Sequence, residues 1–207
     1  MITVCHLTRS RSERIVWLLE ELGLEYGLEV YPREATGAAP PAMREIQSIG
    51  KAPIIRDGET VLAESGAIVE YIVRRYGNGR LALPPESPDF TRYLYWLHFA
   101  EGSLMSLMLI VLVLSRVPEA KESPVKARQL DRMKRMLEFV DAELAERQYF
   151  AGNEFTAADI MMVFPFTTMG RFLDYDLAPY RNIAAYLERI AARPAYRQAM
   201  AVAGPDA

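Results

Sequence analysis

The chain has 207 residues, room for one large domain or two small ones. Hydrophobic residues make up 51% and charged residues 25%, an ordinary balance for a chain that buries a core; the net charge of −3 argues against a nucleic-acid surface, which calls for a basic excess. A single cysteine, Cys5, excludes an internal disulfide and fits a reducing compartment.

Residues 2–8 read as a β-strand, and the start, Ile2-Thr3-Val4, lacks the charged region and the long apolar region of a signal peptide, so a cytoplasmic location is expected. The polar turn Arg9-Ser10-Arg11-Ser12-Glu13-Arg14 follows, with Ser12 placed as a helix N-cap and Glu13 in the acidic first turn. Ile15, Leu18, Leu19 and Leu22 recur at helical spacing up to Gly23, a fitting stop. A second strand is expected over Tyr26–Tyr31, then a loop rich in Ala, Gly and Pro, and a short helix over 42–48.

Pro53-Ile54-Ile55 opens a third strand at a proline. Asp57-Gly58 is a hairpin signal, Thr60–Ala63 returns as the fourth strand, and Glu64-Ser65 marks an abrupt helix start. That helix runs to Tyr76, with Ile68, Ile72 and Tyr76 on one face. Two strands joined through a helix imply parallel pairing, and the hairpin is antiparallel, so a mixed four-stranded sheet of thioredoxin-like plan is expected. Gly77-Asn78-Gly79 and the proline-rich 84–88 mark a boundary: residues 1–79 as the first domain, 80–88 as linker, and 89–207 as an all-α domain. Helices are expected at 89–115, 124–147, 156–170, 182–192 and 194–201. The apolar run 104–114 is too short for a membrane span, which needs about 20 residues. Thr156-Ala157-Ala158-Asp159 is a capping box, with Phe155 and Ile160 placed as a hydrophobic staple.

The Gly50–Ile68 stretch, together with the capping box and Gly152 ahead of it, resembles the cytosolic glutathione S-transferases over essentially the whole chain. The serine after the first strand, spaced Ser-x-x-x-Arg before Arg14, resembles their bacterial, theta-like serine type. The resemblance implies a glutathione-binding first domain and a helical domain bearing a hydrophobic-substrate site. It implies that Ala52, before a cis Pro53, pairs its backbone with glutathione. Lys51 would meet the glycine carboxylate, Glu64 the ammonium group and Ser65 the γ-glutamyl carboxylate, with Arg33 a further carboxylate candidate. Lys51 also reads as a solvated lysine and Ser65 as a simple N-cap. Ser48 stands where the family often has proline, a departure in the neighbouring loop.

A thiol of pKa about 8.5 is little ionised at neutral pH, and the thiolate is the nucleophile. One hydrogen bond to the charged sulfur is worth roughly 1.5–3 kcal/mol, or about one to two pKa units. Ser10 is the first candidate donor and Ser12 the runner-up, Ser12 also serving as the N-cap. Cys5 lies inside a strand and reads as core filler. Met105, Met108, Leu109, Phe164, Phe172 and Tyr175 are hydrophobic-substrate candidates, although such stripes also serve as core. His6 and His98 are lone histidines, so no metal is expected.

The implied function is conjugation of the glutathione thiolate to small hydrophobic electrophiles, a detoxification chemistry with glutathione as co-substrate. Hydroperoxide reduction by the same thiolate, and a non-catalytic interaction module on the same fold, are the alternatives. A homodimer formed through the long helix after residue 89 and its successor is also implied, with no nucleic-acid or membrane partner.

Overall fold

The computed structural model describes residues 1–207. In chain order its elements are β1 (Ile2–Leu7), α1 (Glu13–Leu22), β2 (Tyr26–Tyr31), α2 (Ala42–Ile46), β3 (Ile54–Asp57), β4 (Thr60–Ala63) and α3 (Ser65–Tyr76). There follow α4 (Phe90–Phe99), a π-helical turn (Ala100–Met105), α5 (Ser106–Arg116), α6 (Pro124–Ala145), α7 (Ala157–Phe166), α8 (Thr168–Leu173), α9 (Arg181–Ala191) and α10 (Pro194–Ala203). Two compact units form: Met1–Ala82 with Ala191–Ala207, and Leu83–Ile190.

The first unit is built on a sheet of order β2-β1-β3-β4, with β1 parallel to β2 and the other pairs antiparallel, as a helical crossover followed by a hairpin dictates. The mixed thioredoxin-like sheet expected from the sequence is present. Successive strand residues point to opposite faces. Cys5 and Leu7 pack with Met43 of α2 and with Ile54, so the lone cysteine is core filler. Helix α1 buries Ile15, Val16, Trp17, Leu18, Leu19 and Leu22, and α3 buries Ile68, Val69, Ile72 and Val73. Gly23 ends α1 in the left-handed region (φ 62°), with Leu24 N–H donating to Leu19 and Gly23 N–H to Glu20, a Schellman closure.

The hairpin differs from expectation by one residue. Asp57 pairs with Thr60, so the two-residue loop is Gly58-Glu59, with glycine supplying the positive φ of 58° at its first position. Asp57 thereby remains in the strand, where its carboxylate accepts hydrogen bonds from the Tyr71 hydroxyl (2.7 Å) and the Tyr76 hydroxyl of α3.

The helical stretch expected over 89–207 is divided. Its last helix, α10, packs on α1 of the first unit, where Tyr196 meets the Trp17 ring edge-on at 4.8 Å and Arg193 binds Glu21.

In the second unit, the helix expected over 89–115 contains the π-helical turn, at which the Ser106 hydroxyl donates to the Glu101 carbonyl at 2.8 Å. The continuous run Phe90–Arg116 is 27 residues, long and apolar enough by length and composition to cross a membrane, so the shorter segment judged from sequence was an underestimate. It packs against α6, α7 and α8, and buries Trp96, Leu97, Leu104, Met105, Met108 and Val111 as a core helix does.

The helix expected over 156–170 breaks at Thr167 (φ −106°, ψ −97°). Pro165 removes one ladder N–H, and the Thr167 hydroxyl bonds back to the Val163 carbonyl. The capping box at its start is present but does more than cap. Fully buried Asp159 accepts from Thr156 N–H (2.8 Å), the Thr156 hydroxyl (3.2 Å), Phe150 N–H (3.0 Å) and the Tyr186 hydroxyl (3.2 Å), tying α7 to the turn before it and to α9.

Candidate active site

Strand pairing sets the site. Cys5 lies opposite Ile54, and Ile54 opposite Ala63, while β2 runs parallel to β1. The exits of β1, β2 and β4 and the entry of β3 therefore share one edge of the sheet. Ser10 and Ser12 follow β1, Arg33 follows β2, Lys51, Ala52 and Pro53 precede β3, and Glu64 and Ser65 follow β4. Residues more than 50 positions apart in the chain meet there because hairpin and crossover return the strands to the same end.

After β1 the chain turns at Arg9 (φ 51°) and reaches Ser10, which is 6% exposed. Ser12 is fully buried and stands at the N-cap position of α1, but its backbone is already helical and its hydroxyl caps nothing. This corrects the expected N-cap role. The first-turn N–H groups of Glu13, Arg14 and Ile15 are taken by the carbonyls of Ser10, Arg11 and Ser12 in tight turns, leaving the hydroxyl available for other partners. Its oxygen lies 2.7 Å from Ser10 Oγ, 2.8 Å from His6 Nδ1 and 3.3 Å from the Leu7 carbonyl oxygen. Ser12 N–H also approaches Ser10 Oγ at 3.3 Å. His6 is consequently not the lone histidine it looks in the sequence. Burial pushes its pKa down to about 4, so the ring is neutral at pH 7.

The Ala52–Pro53 peptide bond is cis, as expected, with Pro53 buried and Ala52 packed beside Cys5, Leu7, Met43 and Ile54. The loop before it, where Ser48 departs from the family pattern, is held by Gln47, whose side-chain oxygen accepts from Ile49 N–H at 2.9 Å and Gly50 N–H at 3.3 Å. Glu64 is exposed and has φ 76° and ψ 120°, a conformation L-residues rarely adopt, while Ser65 is buried at the first position of α3. Glu64 provides no side-chain cap, so the first N–H groups of α3 have no side-chain partner there. Lys51 is exposed.

Arg33 makes contacts that its place in the sequence does not indicate. Its guanidinium donates to the carbonyls of Thr8 (2.9 Å), Arg9 (3.0 Å) and Gly37 (2.7 Å), clamping the loops after β1 and β2. Through these three bonds the planar fork braces the Ser10 turn.

The hydrophobic-substrate candidates all lie in the second unit. Met105, Met108 and Phe164 are buried in its core, whereas Leu109 is exposed and Phe172 and Tyr175 are half-buried. Tyr175 donates its hydroxyl to the Pro165 carbonyl at 2.9 Å. No group of three or more His, Cys, Asp or Glu side chains is gathered to hold a metal ion. The residues that sequence reasoning missed are His6 and the true partners of Ser12; no spacing rule links a strand residue to a hydroxyl six positions on.

The chain resembles known proteins along most of its length. The family model for the glutathione S-transferase N-terminal domain matches residues 2–74, and that for the C-terminal domain matches 104–194. Among curated proteins, Glutathione S-transferase 3 of Schizosaccharomyces pombe is 36% identical over 210 residues, covering 95% of this chain and 86% of its own. A crystal structure of a glutathione S-transferase from Actinobacillus pleuropneumoniae superposes with a TM-score of 0.90 at 34% identity, over 100% of this chain and 95% of that one. A sphingomonad glutathione S-transferase complexed with glutathione gives a TM-score of 0.79 at 26% identity, covering 98% of both chains. With both domains matched and the likeness running end to end, this chain belongs to the glutathione S-transferase family.

Proposed function

We propose that this glutathione S-transferase joins the glutathione thiolate to small hydrophobic electrophiles, with Ser10 donating the hydrogen bond that holds the sulfur ionised. The observation that carries this reading is the gathering of a shielded hydroxyl, Ser10, with cis Pro53 and the Glu64-Ser65 helix start at one sheet edge.

In this reading the thiol proton leaves to water, and the charge that remains is stabilised by the Ser10 O–H, a charge-assisted bond. Ala52, held by the cis bond, offers its backbone to the peptide part of glutathione. Ser65 and the open N-terminus of α3 take the γ-glutamyl carboxylate, where N–H groups and helix dipole both favour an anion. Glu64 meets the ammonium group and Lys51 the glycine carboxylate. Arg33 contributes by bracing the Ser10 loop. The electrophile would contact Leu109, Phe172 and Tyr175, the three candidates with accessible surface. A homodimer in the cytoplasm belongs to the same reading, supported by the exposed apolar side chains Tyr95, Ile110, Val113 and Phe139 on α4, α5 and α6.

The test is the ultraviolet thiolate band of bound glutathione, titrated with pH. A band emerging well below pH 8.5, and displaced upward in Ser10→Ala, is expected. A band that follows free glutathione would overturn the proposal.

A further inference from the structure

The hydroxyl of Ser10 does not stand alone. It is the end of a buried row in which Ser10 Oγ, Ser12 Oγ and His6 Nδ1 succeed one another at 2.7 and 2.8 Å. Each serine has one proton, so the direction of the row decides what Ser10 can do. If Nδ1 of His6 is unprotonated, Ser12 donates to it, Ser10 donates to Ser12, and no proton is left for a thiolate. If Nδ1 carries the proton, every donor reverses: His6 donates to Ser12, Ser12 to Ser10, and Ser10 is free to donate outward.

We propose that His6 is a positioning residue that acts through Ser12, its Nδ1–H tautomer orienting the hydroxyl row so that the Ser10 proton points at the glutathione sulfur. The inference rests on the reading of Ser10 as the thiolate donor. Three observations bear on the direction. With Nδ1 protonated, the Ser12 proton can go to Ser10 Oγ at 2.7 Å or to the Leu7 carbonyl at 3.3 Å, and Ser10 is the nearer acceptor. Ser12 N–H donates to the same oxygen at 3.3 Å, consistent with Ser10 Oγ acting as acceptor inside the protein and donor outside it. The ring is buried and neutral, so a choice between two tautomers is the state variable. Bonds in such a row polarise one another, which makes the terminal O–H a stronger donor than an isolated serine. Because an anionic sulfur accepts from Ser10, glutathione binding in turn favours the Nδ1–H tautomer, and the two sites report on each other.

The experiment uses the full chain saturated with glutathione. The bound-thiol pKa is read from the thiolate band in wild type, Ser10→Ala, Ser12→Ala, His6→Phe and His6→Asn, alongside glutathione affinity. The tautomer of His6 is read from imidazole nitrogen-15 shifts, with exposed His98 as internal reference. An unshifted pKa in Ser10→Ala sinks the Ser10 reading itself. Given a shift there, His6→Phe is expected to raise the thiol pKa by about half a unit, about threefold less thiolate below its midpoint, with affinity within about twofold. His6→Asn, whose side-chain amide places an N–H near the Nδ1 position, restores the wild-type value. Where His6→Phe does not fold, Ser12→Ala breaks the same row and carries the same expectation. An unchanged pKa in the folded variants of this pair, or an Nε2–H tautomer with glutathione bound, overturns the role of His6 while leaving that of Ser10 standing.

Discussion

Arg193 grips the carboxylate of Glu21 through two nitrogens, Nε at 2.6 Å and Nη2 at 2.7 Å, across 172 residues of chain. Glu21 is 8% exposed at its side chain and also accepts from the Trp17 indole N–H at 2.9 Å. The fork therefore fastens α10 to α1 beside the Trp17–Tyr196 ring contact. Arg193→Leu leaves a shielded carboxylate with one neutral donor and is expected to destabilise the fold by about 2–3 kcal/mol. Urea unfolding of the variant, and of the double variant with Glu21→Gln, checks it; the second change should recover part of the loss.

Ser10→Ala removes the donor to the charged sulfur and nothing larger. Turnover with an activated aryl halide should fall about 10- to 100-fold, the range of one hydrogen bond to a charged group. The KM for glutathione should move far less, since the peptide contacts remain. Equal losses in both would mean that Ser10 serves binding and not ionisation.

Two buried groups oppose each other in the acid range. His6, pushed down to about 4 from 6.5, takes its proton late in the folded state, so its contribution to stability is lost as pH falls from 6.5 to 4. Asp159, pushed up by burial to about 6 from 3.8, releases its proton late, and its contribution is lost as pH rises through that interval. Each amounts to about 3 kcal/mol at most. His6→Asn eliminates the first alone. Unfolding free energies at pH 7 and pH 4.5 should show the wild type losing ground relative to this variant as pH falls.

Glu64 occupies φ 76° without being glycine, a conformation costing about 1–3 kcal/mol. Glu64→Gly is therefore expected to raise thermal stability, by about 1 kcal/mol, and to weaken glutathione binding through loss of the carboxylate. Calorimetry for both quantities would check it. A variant that is less stable would show that the side chain contributes more than the strained backbone costs.

Much of the fold was legible because its causes are local. Helical spacing up to Gly23, the β-branched run after Pro53, the glycine of the hairpin and the Thr156–Asp159 box act within a few residues of one another, and the elements formed where those signals stand. The family resemblance pointed to Ser10, Pro53 and Glu64-Ser65 as a group, and the strand register brings them to one sheet edge.

The order of the elements, and the kinds of residue at that edge, follow from signals carried along the chain. Where their polar atoms point follows from the packed fold. Ser12 reads as a cap, but backbone carbonyls satisfy the first turn, and its hydroxyl goes to His6 and Ser10. Arg33 reads as a ligand contact, and three of its hydrogens go to loop carbonyls of Thr8, Arg9 and Gly37. Asp159 reads as a local cap, but Tyr186, 27 residues on, completes its shell. Helix α10 reads as part of the helical domain, but Glu21 and Trp17 hold it to α1. The physical reason is common to all four: a hydrogen-bonding group is assigned by whichever partner folding brings within about 3 Å, and that partner has no fixed distance along the chain.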